Sequence, residues 1–277
     1  MAKYEENEPV LPVSSSTEPE FLPAARECYR GVLEALQQAE IPYAIAGAFA
    51  LHKHTGIWRT TKDLDVVLEA KSVPEALARL EQMGFETYIK DPVWLAKAIR
   101  GEYFVDLITA LGNAVLVVDE TWLKRATPYE VFGVPCRVLG AEEMIASKIF
   151  VSRRERFDGA DVAHLIRACA KQLDWERLQE LLEPHWEMLL WSLIFFTYIY
   201  PSDRNLVPRQ LWSSLLHRFE QHMQQPTANE PFRGTLIDPN MFAIDVEEWG
   251  ERDLYKEYCE HHPFLLQAVE SKQKEKE

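Results

Sequence analysis

The sequence predicts an α/β (α+β) protein, with a mixed sheet flanked by helices and a C-terminal helical region. Three observations predict it. Short apolar runs of strand length alternate with segments of helical spacing from residue 23 to about 140. One such run, Ile41–Ala46, meets a glycine and turns directly into a helix. From Ala141 to about His222 the periodicity is helical.

Each element follows from its residues. Pro23–Glu40 places Val32, Leu33, Leu36 and Ala39 along one helical stripe, and Ile41–Ala46 reads as a short buried strand. Gly47 supplies a tight turn into a helix over Ala48–His54. Asp63–Leu68 is a strand, Val73–Met83 an amphipathic helix closed by Gly84, and Phe85–Ile89 and Tyr103–Ile108 are further strands. Tyr129–Phe132 and Cys136–Leu139 are extended pieces flanking the turn Gly133-Val134-Pro135. Helices are expected over Glu142–Arg156, Gly159–Lys171, Asp174–Leu182, His185–Tyr200 and Pro208–Gln221, with Asp174 and Ser202 as cap or turn residues. Gln225–Pro239 is loop-like, and the aromatic-rich Phe242–Tyr258 fits no single element. There is no internal repeat.

Composition narrows the class. At 277 residues, 47% hydrophobic and 11% aromatic, the chain has material for one large core or two smaller ones. A formal charge of -14 argues against a surface built to coat nucleic acid, because such binding runs on Lys and Arg, although a basic pocket stays open. Cys28, Cys136, Cys169 and Cys259 lie far apart without a Cys-x-x-Cys pair, which fits a reducing compartment and offers no zinc spacing. His52 and His54, two apart on a helix, cannot face one metal together. Met1–Glu20 is acidic and lacks the layout of a secretion signal. The most apolar run, Met188–Tyr200, falls short of the roughly 20 residues that cross a bilayer. The expectation is a cytoplasmic protein that does not enter membranes.

The chemistry concentrates in Arg59-Thr-Thr-Lys-Asp63-Leu-Asp65-Val-Val-Leu68. Strand alternation puts Asp63 and Asp65 on one face, with Leu64 and Val66 on the other. Two adjacent carboxylates repel unless a cation sits between them, and Mg²⁺ prefers a few carboxylate oxygens with phosphates completing its shell. An ordinary Asp-x-Asp instead sits at a solvent edge or caps a turn. The strand-turn-helix at Gly47-Ala48 lies shortly before, where backbone N–H groups at a helix N-terminus can cradle an anion. Asp106, in Tyr103-Phe-Val-Asp106-Leu-Ile108, shares its face with Phe104 and Ile108. An unpaired carboxylate there costs several kcal/mol, so it is protonated, shared with a metal, or paired with Arg100 or Lys97. Arg59 and Lys62 flank the acids and can contact phosphate, or belong to a solvated strand end. Lys148 and Glu155 fall on one face of the helix from Glu142, so Lys148 reaches either into the cleft or into a surface salt bridge. Arg154 and Asp158 have the spacing of an intrahelical pair.

Gly47-Ala48, then Arg-x-Thr-x-Asp63-x-Asp65, then a strand carrying Asp106, resembles the core of the DNA polymerase beta-like nucleotidyltransferase superfamily. Glu142-Glu143-Met-Ile-Ala-Ser-Lys148, Arg153, Arg154, Arg156 and Asp158-Gly-Ala-Asp161-Val-Ala-His164 are similar to the helical half of small bacterial predicted nucleotidyltransferases, including the AbiEii-like toxin branch. The resemblance covers residues 41 to about 200. It implies that Gly47 and Ala48 contact the triphosphate, that Asp63 and Asp65 bind two Mg²⁺ or Mn²⁺ ions, and that Asp106 binds the one that activates the nucleophile. The family usually has Gly or Ser where Ala48 stands, so a hydroxyl contact to phosphate is missing.

The implied reaction moves a nucleoside monophosphate from a nucleoside triphosphate to an acceptor, which is a small molecule, an RNA end or a protein side chain. A noncatalytic nucleotide-binding or toxin-antitoxin interaction protein, with an antitoxin or a second copy as partner, is the alternative on the same fold. A nucleotide-sugar glycosyltransferase would need a longer sheet before Asp63. The implied organisation is a disordered segment 1–20, a nucleotidyltransferase catalytic domain 21–140, a helical domain 141–223, and an extended tail 224–277 with a short helix.

Overall fold

The computed structural model describes residues 21–58, 61, 63–224 and 230–268. At its centre is a seven-stranded mixed sheet of β1 (Ala44–Ile45), β2 (Asp63–Val67), β3 (Glu86–Asp91), β4 (Leu95–Arg100), β5 (Tyr103–Ile108), β6 (Thr127–Val131) and β7 (Val134–Val138). Their order is β3-β4-β5-β2-β1-β7-β6. β2 runs parallel to β5 and β1 parallel to β7, while the other neighbours are antiparallel. The α/β class read from the sequence is the class that forms.

Alternation gives the two sheet faces different surroundings. Leu64 and Val66 of β2, Ala96 and Ala98 of β4, and Val105 and Leu107 of β5 are fully buried. Helices α1 (Pro23–Gln38) and α3 (Val73–Gln82) pack on this sheet and on each other. Pro23 at the start of α1 presets the first helical φ, and Cys28, Tyr29, Val32, Leu33 and Leu36 form its buried stripe. The opposite face carries Asp63, Asp65, Lys97, Phe104 and Asp106, all half-buried. Slipping β2 by one residue would drive both aspartates into the core, which pins the register.

The remaining helices extend the same core. α2 (Gly47–Thr55) packs on α5 (Ala141–Ile149) and α6 (Gly159–Cys169), after the short α4 (Glu120–Arg125). α5 packs on α7 (Trp175–Leu181), α6 on α8 (Trp186–Ile199), and α8 on α9 (Arg209–Gln224). The C-terminal segment carries α10 (Gly234–Ile237), α11 (Ala243–Glu247) and α12 (Leu254–His261). It returns to the sheet, where Asn113 donates to the Leu236 carbonyl at 3.0 Å and the Leu265 N–H donates to the Pro92 carbonyl at 3.0 Å. A single apolar cluster runs from Ala25 to Leu265. Among the described residues, no helix is long and apolar enough to cross a membrane.

Several elements differ from the sequence expectation. β1 shrinks to two residues because Pro42 has no N–H to give a central ladder. β4 was not expected, since Leu95, Ala96, Lys97, Ala98 and Arg100 all favour helix, yet pairing on both sides overrides that preference. α4 was also not expected, although the Asp119 carboxylate caps it by accepting from the N–H groups of Thr121 and Trp122. The hairpin turn falls on Phe132 and Gly133, both at positive φ, and Pro135 lies inside β7. The helix from Glu142 stops at Ile149, and Ser152 and Phe157 bridge across a loop instead. Lys148 and Glu155 therefore do not share a helical face, and Arg154 and Asp158 do not form an intrahelical pair. The Arg154 N–H donates to Asp238 at 3.3 Å. Gly234–Ile237 is a one-turn helix within the expected loop, and the unplaced aromatic segment holds α11 and most of α12. The expected disordered start, residues 1–20, and the closing residues 269–277 lie outside the described residues.

Candidate active site

Three aspartates converge on the half-buried sheet face. Asp65 of β2 stands directly opposite Asp106 of the parallel neighbour β5, and Asp63 lies two residues before Asp65 on the same side. Each offers a carboxylate oxygen, and these atoms all lie within 4.8 Å of one another. Burial, then the charges of Asp63 and Asp106, push the Asp65 carboxyl up to about 7. Burial also raises Asp106, against the pull of a hydrogen bond from Lys97. The Thr61 hydroxyl donates to Asp63 Oδ1. An all-oxygen donor set with crowded negative charge fits a hard divalent cation.

Beside the acids begins α2. The Ala46 N–H donates to the Asp65 carbonyl at 2.9 Å, tying the helix start to β2. The first intrahelical bond runs from the Ala50 N–H to the Ala46 carbonyl, so the amides of Gly47, Ala48 and Phe49 precede it and have no acceptor within the helix. Gly47 is required twice over. Its φ is +55°, and a Cβ there would collide with the Asp65 carboxylate. The anion-cradling end of a helix and the acidic cluster are thus forced into contact, with the half-buried methyl of Ala48 at their margin.

Cations ring the acids. Lys97 on β4 is paired in register with Asp106 and donates to its Oδ1 at 2.6 Å. That is the alternative partner weighed for Asp106 from sequence, and it joins Asp106 without removing it from the cluster. Arg100 goes elsewhere, donating to the Met83 carbonyl at 3.2 Å and lying over the Phe85 ring. Lys148 is held by two buried carboxylates, Asp158 at 2.7 Å and Asp161 at 2.9 Å, and Arg156 adds two bonds to Asp158 at 2.9 and 2.8 Å. Burial works against the Asp158 charge, but the Arg156 and Lys148 contacts outweigh it and hold its carboxyl below the usual range. The charges of Lys148 and Arg156 also reach Asp65 and favour its ionised form. Gly47, Ala48, Asp63, Asp65 and Asp106 come together, with Lys148 set one carboxylate layer back. Arg59 and Lys62 lie outside the described residues.

Sequence reasoning assigned no role to Thr61 or Arg156 and weighed Lys97 only as a rival partner. Thr61 was already inside the Arg-x-Thr-x-Asp motif, two residues before an acid, where a hydroxyl readily closes a local turn.

A family model described as a nucleotidyltransferase of unknown function (DUF6036) matches residues 28–194. Comparison with curated proteins gave no match. Among solved structures, the chain is similar to the antibiotic-resistance factor ANT(2'')-Ia, at 17% identity over 72% of this chain and 98% of that one, with a TM-score of 0.42. It is similar to an antigenic nucleotidyltransferase-like protein from Paracoccidioides brasiliensis, at 17% identity over 66% of this chain and 91% of that one, TM-score 0.42. It is also similar to the lincosamide antibiotic adenylyltransferase LnuA, at 13% identity over 50% of this chain and 94% of that one, TM-score 0.37.

Proposed function

This chain belongs to the nucleotidyltransferase family of unknown function DUF6036, and from that premise we propose that it moves a nucleoside monophosphate from a nucleoside triphosphate to an acceptor hydroxyl in a Mg²⁺-dependent reaction. The observation that carries this reading is the convergence of Asp63, Asp65 and Asp106 beside the N-terminus of α2. Asp63 and Asp65 would hold both Mg²⁺ or Mn²⁺ ions, and Asp106 one of them. Ions bound there supply Lewis acidity, lowering the pKa of the acceptor hydroxyl and offsetting charge on the phosphates.

The chain's own groups do the positioning. The amides of Gly47 and Ala48, which have no acceptor within α2, would donate to the triphosphate, and the first turn of α2 adds its positive dipole end. Arg59 and Lys62, on their sequence positions, add charge-assisted contacts to phosphate. Lys148 and Arg156 contribute long-range positive charge while their hydrogen bonds stay with Asp158 and Asp161. The acceptor is a small molecule, an RNA end or a protein side chain, and the net charge of -14 weighs against a long nucleic acid. The AbiEii-like branch, and with it an antitoxin partner, is the finer part of the reading and rests on residues 142–148 and 158–164. The site is read as acting in the cytoplasm.

The test is transfer of label from each of the four α-labelled triphosphates, with Mg²⁺, into a cell extract containing candidate acceptors. Wild-type protein is expected to label an acceptor, and Asp63→Asn or Asp65→Asn to lose the transfer by more than about 100-fold, as expected when transition-state charge stabilisation is removed. Full transfer by Asp63→Asn would sink the assignment.

A further inference from the structure

We propose that Lys97 is a positioning residue that stands in for one cation of the acidic site, so that the nucleotide-free protein takes up a single divalent ion, at Asp63 and Asp65. The inference rests on the metal-site reading of the three aspartates. Asp65, Asp106 and Lys97 form one row across the adjacent strands β2, β5 and β4, so the backbone register itself sets the ammonium beside the third carboxylate. The Lys97 and Asp106 side chains are only 19% and 13% exposed, and their atoms meet at 2.6 Å. The same ammonium lies 4.7 Å from the centroid of the Phe104 ring. A carboxylate and an aromatic ring both hold it in place, contacts that a solvated lysine at a strand end would not have.

The three aspartates are therefore not equivalent. Among the described residues, Asp63 receives a neutral hydroxyl from Thr61, and the cations that act on Asp65 spend their hydrogen bonds on Asp158 and Asp161. Asp106 alone of the three is in direct contact with a described cation. Mg²⁺ needs oxygen ligands at about 2.0–2.1 Å in near-octahedral array, and an ammonium already bonded to Asp106 occupies one of its oxygens and repels a dication from the other. Among the described residues Asp63 and Asp65 have no such competitor, and they fill first.

Titration of the full chain with Mn²⁺ in the absence of nucleotide, read by the electron paramagnetic resonance of free Mn²⁺, tests this. Wild-type protein is expected to bind one ion and Lys97→Met to bind two, with the second gained because Asp106 has lost its cation. Lys97→Gln, which keeps a hydrogen-bond donor but no charge, is expected to gain the same second ion and serves if Lys97→Met fails to fold. Asp106→Asn is expected to keep one. Two ions on the wild type, or one ion on both folded Lys97 variants, would overturn the inference while leaving the metal site standing. No Mn²⁺ on any of them would remove the metal-site reading itself, and the inference with it.

Discussion

Asp65 is the residue on which the site's electrostatics converge. In the metal-free protein its carboxyl is pushed up to about 7 by burial and by Asp63 and Asp106, against an ordinary value of 3.8. Between those two values the folded chain holds a proton that the unfolded chain has released. Its contribution to stability is therefore complete below the ordinary carboxylate range and is lost as pH rises through about 7. Asp65→Asn carries no charge at any pH and removes that slope. Thermal melting with a chelator present, from pH 5 to 8, should show the wild type losing stability toward pH 8 relative to Asp65→Asn, and added Mn²⁺ should restore it. A wild-type melting temperature that runs parallel to the variant across this window would mean that burial and the neighbouring carboxylates do not raise Asp65 in the folded chain.

At the scale of elements, the loop between α5 and α6 decides what Lys148 does. The Lys148 side chain is 12% exposed and its ammonium pairs with both Asp158 and Asp161, whose side chains are 8% and 4% exposed. Breaking a buried pair by removing one partner costs about 3–5 kcal/mol, so Lys148→Met should lower the urea-unfolding free energy by about that amount. A stable Lys148→Met protein with a raised KM for triphosphate would instead assign Lys148 to direct phosphate contact. The sequence put Lys148 and Glu155 on one helical face, since Phe150–Arg156 contains no Gly or Pro to end a helix, whereas the chain leaves the helix at Ile149 and Ser152 bridges to Phe157. Strands β2 and β5 were legible because each is an apolar run of strand length, interrupted only by Asp63 and Asp65 on one face of β2 and by the single acid Asp106 in β5. β4 was not, because its residues favour helix. With β4 unread, nothing chose between Lys97 and Arg100 as the neighbour of Asp106. Once β4 and β5 are joined through Gly101 and Glu102, Arg100 pairs with Tyr103 and the register delivers Lys97 to Asp106. The acids of the site could be read from spacing, whereas their cation needed a long-range pairing that no local pattern encodes.

Over the whole molecule, the apolar core runs without a gap across residue 140, where the sequence turns to helical spacing. Val138 and Leu139 continue directly into Ala141, Met144 and Ile145, and the same apolar cluster takes in Leu193 and Phe196 of α8 and, near the chain's end, Leu265. Leu265 is fully buried, and its N–H reaches back to Pro92 beside β4, the strand that carries Lys97. The late segment is therefore part of the support of the site's sheet. Replacing a buried Leu by Ala costs about 2–5 kcal/mol through lost transfer energy and the cavity left behind. If the core is continuous, Leu265→Ala moves one calorimetric transition that includes the sheet and the helices together, with agreement between the calorimetric and van't Hoff enthalpies. It should also weaken Mn²⁺ uptake at the aspartates near the melting temperature, because β4 and β5 come apart in the same step. A Leu265→Ala protein whose main transition stays at the wild-type temperature, with only a minor early transition shifted, would show that the C-terminal segment melts by itself and that the sheet holds its acids in register without it.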